Sequence, residues 1–250
     1  MDSPFSRLTQ VLDQKLSDAP KRSFYLAVWA GIYIAVGGIF YGIVSSFPGD
    51  ERLVRLIAAF SFTIGLNLVI FKKAQLFTGN NLMIIGMMKR KIRFVDLAKN
   101  WVLVYGGNLI GSLIAVGLIL AMLADLHPLG MHLQSIAEKK VSYTPSTAFT
   151  KAIYCNILVC TGIWFGVTAR TLLKKVIGIT IPITMFVYLG FEHSIANMFF
   201  IPLGLGFSQV EAPQSITLFL QNIIPVTLGN VMGGFIASLV ILGMNRKQQK

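Results

Sequence analysis

Charge is the first thing this chain lacks. Only 13% of its 250 residues are Asp, Glu, Lys or Arg, against about a quarter in an ordinary soluble domain. Apolar residues make up 54% and mean hydropathy is +0.69, so there is too little polar surface to coat a water-soluble fold. The chain is expected to be an integral membrane protein embedded in a lipid bilayer. Acids are scarcer than bases: 10 Asp and Glu stand against 22 Lys and Arg, a net charge of +12. In a soluble domain that balance suggests nucleic acid. Here the bases fall in short clusters between long uncharged runs, as they do in membrane loops, and no nucleic-acid partner is expected. Cysteine is almost absent too. Cys155 and Cys160 share one apolar run without zinc-type spacing, which excludes a disulfide scaffold and gives no metal site. A phosphate-cradling glycine loop and a Ser/His/Asp set within the apolar runs are also missing, so neither an enzyme nor a cofactor is expected.

What the chain does have is six apolar runs, and about 20 residues suffice to cross a bilayer. They cover 24–47, 56–71 (continuing past Lys72-Lys73 to 88), 101–124, 152–169, 176–191 (continuing past Glu192-His193 beyond 200) and 212–245. The second and fifth are interrupted. Residues 1–23 are polar with helical periodicity and no signal-peptide core. They are expected to form an amphipathic helix on the membrane surface or beneath a pore. With six crossings, 15 Lys and Arg lie on the side of both termini and 5 on the other. The positive-inside rule then places both termini in the cytoplasm.

The chain also repeats itself. Residues 100–120 align with 222–242 at an offset of 122, with nine of 21 positions identical, including Asn100/Asn222, Asn108/Asn230, Gly107/Gly229 and Gly111/Gly233. A single transmembrane domain over 1–250 is therefore expected to hold two repeats, 24–124 and 152–245. Three crossings per repeat turn the second upside down. This all-α, 3+3 inverted plan, with broken helices 2 and 5 in matching places, points to a permeation site near the midplane. Thr78, Gly79 and Asn80 are poor helix formers at the first break. The four recurring asparagines are expected to bond the broken backbone, and the four glycines to let helices approach closely.

His193 is the only histidine within an apolar run, beside the only acid within one, Glu192. An ionisable side chain at membrane depth is functional by default. Two roles are open. An unperturbed imidazole titrates near about 6.5 and could lend a proton to a passing anion. Alternatively it stays neutral and bonds Asn156, Thr78 or the substrate. Glu192 is expected to be structural, pairing across a half-helix or a subunit boundary. Lys72 and Lys73 either line a vestibule or snorkel to an interface, and adjacent helical residues should not share a face. His127 and His132 are expected to be solvated in an outer loop.

Leu76-Phe77-Thr78-Gly79-Asn80 and Gly190-Phe191-Glu192-His193-Ser194-Ile195-Ala196-Asn197-Met198 resemble the two signatures of the formate/nitrite transporter family. Tyr154 to Cys160 resembles its fourth-span motif, and Asn100-Trp101 through Gly107-Asn108 its third. The resemblance implies an aquaporin-like protomer assembled as a homopentamer, with one pore each, passing small monovalent anions such as formate, nitrite or hydrosulfide; protonation aided by His193 would make it a pH-sensitive channel or a proton-coupled transporter, with protons a further partner. It implies that His193 is the pore histidine, Asn156 and Asn197 amides near it, Thr78 part of a mobile loop, and Lys140 the family's lysine outside span four. Leu66, Leu76, Phe77 and Phe186 become constriction positions, with formate the first candidate substrate. One departure stands out: many members carry Glu immediately before Leu-Phe-Thr-Gly-Asn, where this chain has Gln75, preceded by Lys72-Lys73-Ala74. A passive pore for small neutral solutes is the alternative function.

Overall fold

Caps and prolines cut the apolar sequence into helices. In the computed structural model, which describes residues 3–122 and 127–248, Ser3 accepts from the Ser6 amide to start α1 (Pro4–Ser17). Pro20 opens α2 (Pro20–Ser45), as proline suits a first helical turn. Asp50 caps α3 (Glu51–Phe62), which runs almost straight into α4 (Ile64–Phe71). Short pieces follow: α5 (Phe77–Asn80), a 3-10 turn (Asn81–Met83) and α6 (Ile84–Met88). Beyond them lie α7 (Phe94–Met122) and α8 (His127–Val141). Thr144 then caps α9 (Pro145–Thr168) and Thr171 caps α10 (Leu172–Tyr188). The chain ends in α11 (Ser194–Leu205) and α12 (Ala212–Gln248). Among the described residues there is no strand.

Among the described residues, five helical stretches are long and apolar enough to cross a membrane: Pro20–Ser45, Glu51–Phe71, Phe94–Met122, Pro145–Thr168 and Ala212–Asn245. The run beginning at 176 does not make one continuous helix. It is divided between α10 and the shorter α11. Large apolar side chains point outward along these helices, including Val102 at 75% exposure and Leu118 at 62%. The third run's last residue, Ala124, lies outside the described residues.

Helix α2 packs along α7, and α9 along α12 in the same manner, while α11 is wedged between α8 and α7. Glycine sets the close approach. A Cβ at Gly111 would strike the Val28 carbonyl oxygen, and one at Gly233 the Ile153 carbonyl oxygen. Backbone atoms cannot swing aside, so Gly111→Ala and Gly233→Ala should each destabilise the protein by about 1–3 kcal/mol. A lowered thermal midpoint in detergent would register it, whereas Gly117→Ala, where the space is open, should leave the midpoint within about 2–4 °C.

Helix α1 belongs to this core. Phe5, Leu8 and Leu12 pack against Leu82, Ile85 and Ile92 beneath α5 and α6. Lys15 and Lys140 each stand twelve residues before Ala27 and Ala152, so α1 precedes α2 as α8 precedes α9.

Candidate functional site

The site grows from two places where helices stop inside the fold. α4 ends with the Ala74 amide donating to the Val69 carbonyl (2.9 Å), and α10 with the Phe191 amide donating to the Phe186 carbonyl (3.0 Å). In each case the residue before the donor is left-handed: Lys73 at φ 53° and Gly190 at φ 67°. Glycine is the usual residue for that helix-ending turn; a lysine there carries a steric cost of about 1–2 kcal/mol. The chain then runs extended through Leu76 (φ −104°, ψ 124°) and His193 (φ −113°, ψ 117°) before α5 and α11 begin.

Extended backbone buried in an apolar setting must find partners for its polar groups. One asparagine does this at each interruption. Asn108 accepts from the Phe77 amide (2.9 Å) and donates to the Ala27 (2.8 Å) and Gln75 (2.9 Å) carbonyls. Asn230 accepts from the Ser194 amide (2.9 Å) and donates to the Ala152 (2.9 Å) and Glu192 (3.0 Å) carbonyls. A second pair braces the segments from within. Asn80 donates to Gln75 Oε1 (2.7 Å) and Asn100 Oδ1 (3.0 Å). Asn197 donates to Glu192 Oε2 (2.6 Å) and Asn222 Oδ1 (2.7 Å).

His193 joins the two interruptions. Its Nδ1 accepts from the Ala196 amide (3.0 Å), capping α11. The neutral ring therefore carries its proton on Nε2, which lies 3.0 Å from Thr78 Oγ1 in α5. A second proton, on Nδ1, would set two donors against each other. Phe186 stacks on the ring at 5.9 Å between centroids and 21° between planes.

A cavity opens on either side of this contact. The one beside α8 has a volume of about 570 Å³ and is lined by Tyr41, Arg55, Lys140, Phe186, Glu192 and His193 among others. The one beside α1, about 250 Å³, is lined by Lys15, Lys72, Lys73, Leu76, Gly79 and Lys175 among others. Leu66, Leu76 and Phe186 belong to one buried apolar cluster, with Phe186 also lining the α8-side cavity and Leu76 the α1-side one. A Cβ on Gly79 would meet Ile163 Cδ1 at 2.6 Å, so the absence of a side chain keeps α5 tight against α9.

Several expected site residues have partners or positions other than those the sequence suggests. Phe77 turns its ring into Trp101 (6.0 Å) and Tyr105 (4.9 Å) on the α7 side; it lines neither cavity, because the amide after Leu76 is held by Asn108. Asn156 donates to the Asn230 carbonyl (2.6 Å) rather than to His193, and Asn197 is committed to Glu192 and Asn222. Glu192, 2% exposed, pairs with Lys140 (3.0 Å) and accepts from Asn197 across the start of α11 (2.6 Å), the half-helix alternative. Lys72 and Lys73 both line the α1-side cavity, since the left-handed turn at Lys73 cancels helical spacing. His132 is half-buried, bonded to Ser45 Oγ at 2.7 Å, and burial holds its imidazole below the ordinary value. The His127 side chain lies outside the described residues.

Sequence reasoning missed Lys15, whose ammonium donates to the Ala74 carbonyl (2.9 Å) and sits 3.4 Å from Asn80 Oδ1. The twelve-residue spacing it shares with Lys140 could have found it. It also missed the aromatic wall formed by Phe62, Phe186 and Phe200, with Phe62 5.9 Å from Phe186 and 6.4 Å from Phe200.

The family described as "Formate/nitrite transporter" matches residues 3–244. The formate channel FocA of Escherichia coli (strain K12) is 32% identical, with 93% of this chain and 92% of that protein covered. A probable formate transporter of Methanothermobacter thermautotrophicus is 37% identical, over 86% of this chain and 85% of the relative. Among solved structures, a pentameric formate channel with formate bound superposes with a TM-score of 0.80 at 34% identity, covering 92% of this chain and 98% of that one. With the apolar helices already described, these relatives make the chain a multi-pass membrane protein whose kin are channels and transporters, not enzymes.

Proposed function

This chain belongs to the formate/nitrite transporter family, and from that premise we propose that it passes small monovalent anions, formate first and nitrite or hydrosulfide next, through a pore in each protomer of a homopentamer. The relatives named for formate and the pentameric likeness support this reading. Six spans arise if α3–α4 with α5–α6 form the second and α10 with α11 the fifth, both broken, in inverted repeats. The matching bonds of Asn108 and Asn230 support that division, and α1 and α8 join the repeats as their first helices. The basic side, with both termini, faces the cytoplasm of a cell whose inner membrane holds the protein.

The observation that carries the reading is the His193–Thr78 contact between two cavities with cationic walls. An anion drawn in by positive potential meets the apolar layer of Leu66, Leu76 and Phe186, where a bare charge is costly. His193, with Nδ1 engaged as an acceptor, acts as a neutral donor through Nε2–H and the Thr78 hydroxyl. The anion takes up a water-borne proton beside these donors and crosses as the neutral acid, so flux rises as pH falls. This replaces a titrating histidine with a neutral one, and leaves proton delivery to water.

Liposome uptake of formate, nitrite and hydrosulfide between pH 5 and 8 tests it. His193→Leu should cut uptake by roughly tenfold to a hundredfold, the weight of one hydrogen bond to a charged group at about 1.5–3 kcal/mol. His193→Asn, which can still donate, should retain more flux and the same pH dependence. A pH profile abolished in His193→Asn would instead mark the imidazole as the proton donor. Flux of neutral solutes alone, carrying neither charge nor pH dependence, would support the aquaporin-like alternative.

A further inference from the structure

The two mouths of the molecule are built alike but charged differently. Glu192 lies two residues before the Ser194 amide that Asn230 holds; Gln75 lies two residues before the Phe77 amide that Asn108 holds. Each is bonded by the matching asparagine, Asn197 or Asn80. Glu192 neutralises its lysine, accepting from Lys140 at 3.0 Å. Gln75 cannot. Its amide donates to the Lys15 carbonyl (2.9 Å) and to Asp18 Oδ2 (3.5 Å), while the Lys15 ammonium touches only the neutral Ala74 carbonyl and Asn80 amide oxygen. The nearby acid, Asp18, is already 3.5 Å from Arg22.

The cavity walls follow the same division. On the α1 side Lys15, Arg22, Lys72, Lys73 and Lys175 stand against Asp18 alone. On the α8 side Arg55, Lys139 and Lys140 stand against Glu51 and Glu192. The α1-side cavity is also the smaller, about 250 Å³ against about 570 Å³. A narrow, low-dielectric space with walls of one sign focuses potential and concentrates the opposite ion. Burial lowers the Lys15 ammonium to about 8, with Asp18 opposing the shift, so it remains largely charged at neutral pH.

We propose that the two mouths are unequal anion sites, with Lys15 the binding group of the tighter one beside α1, and that Gln75 sets the inequality by leaving that lysine without a carboxylate. The inference rests on the anion-passing function proposed above. Its ligand is a small monovalent oxyanion or carboxylate, for which formate serves as the probe.

The experiment is the initial rate of labelled formate flux through the purified protein in proteoliposomes of each orientation, sorted by protease access to one terminus, because formate that crosses as the neutral acid carries no current. Half-saturating formate is measured separately from each face. The α1 face should saturate at roughly fivefold lower formate, or less still, than the α8 face. Gln75→Glu should raise the α1-face value toward that of the α8 face and leave the other unmoved. Glu192→Gln, freeing Lys140, should lower the α8-face value, and it tests the same inequality should Gln75→Glu fail to fold. Equal half-saturation from both faces of the unmodified protein overturns the proposal, as does either folded variant failing to shift its own face. Absence of formate flux from both faces overturns instead the anion-passing function on which it rests.

Discussion

Replacing Asn230 with alanine is expected to cost about 3 kcal/mol of stability or more. Its one amide serves the Ser194 amide and the Ala152 and Glu192 carbonyls, and the side chain is fully buried. Truncation leaves all three backbone groups without a partner at a depth where water cannot replace it, and each such loss weighs about 1–3 kcal/mol. Thermal unfolding in detergent measures the effect, and Asn108→Ala should match it, because Asn108 makes the same three kinds of bond. Aspartate is the informative second variant. Asn230→Asp can still accept from Ser194 but cannot donate to either carbonyl, and it adds a buried charge, so it should do no better than alanine. A loss below about 1 kcal/mol, the net worth of one ordinary hydrogen bond, would show that the α10–α11 segment is held by packing and not by this amide.

The second large effect concerns the Lys140–Glu192 pair. Glu192 is 2% exposed and Lys140 15%, and removing one partner of a buried pair leaves the other charge uncompensated, at about 3–5 kcal/mol. Lys140→Ala should therefore lower the unfolding midpoint sharply. Adding Glu192→Gln should recover most of the loss, because the glutamine removes the stranded charge yet keeps an acceptor for Asn197. A double variant no more stable than Lys140→Ala would mean that lysine contributes through packing over Phe200, 5.7 Å from its ammonium, rather than through charge.

The sequence by itself determined the membrane class, the apolar runs, the family signatures and the pairing of Asn100 with Asn222 and Asn108 with Asn230. These are legible because a low-dielectric solvent imposes composition directly: length and charge along the chain decide what can sit in it. Individual motifs survived for the same reason, since a buried polar residue in an apolar run stands out wherever it occurs.

Only the tertiary structure decided which of those residues meet. Phe77 reads as a constriction beside Leu76, yet alternation along extended backbone turns it toward α7 while Leu76 faces the cavity. Asn156 reads as a neighbour of His193, yet the Asn230 carbonyl, carried in by α12, is its partner. Lys72 and Lys73 share one cavity because a single left-handed residue breaks helical spacing. The tautomer of His193 depends on an amide three residues ahead and a hydroxyl 115 residues behind. Lys15, in a segment that reads from sequence as an amphipathic helix on the membrane surface or beneath a pore, lies against the first interruption because Phe5, Leu8 and Leu12 bury α1 beneath α5 and α6. Composition reports what an environment tolerates, whereas hydrogen-bond direction and the sharing of a cavity depend on how separate helices pack.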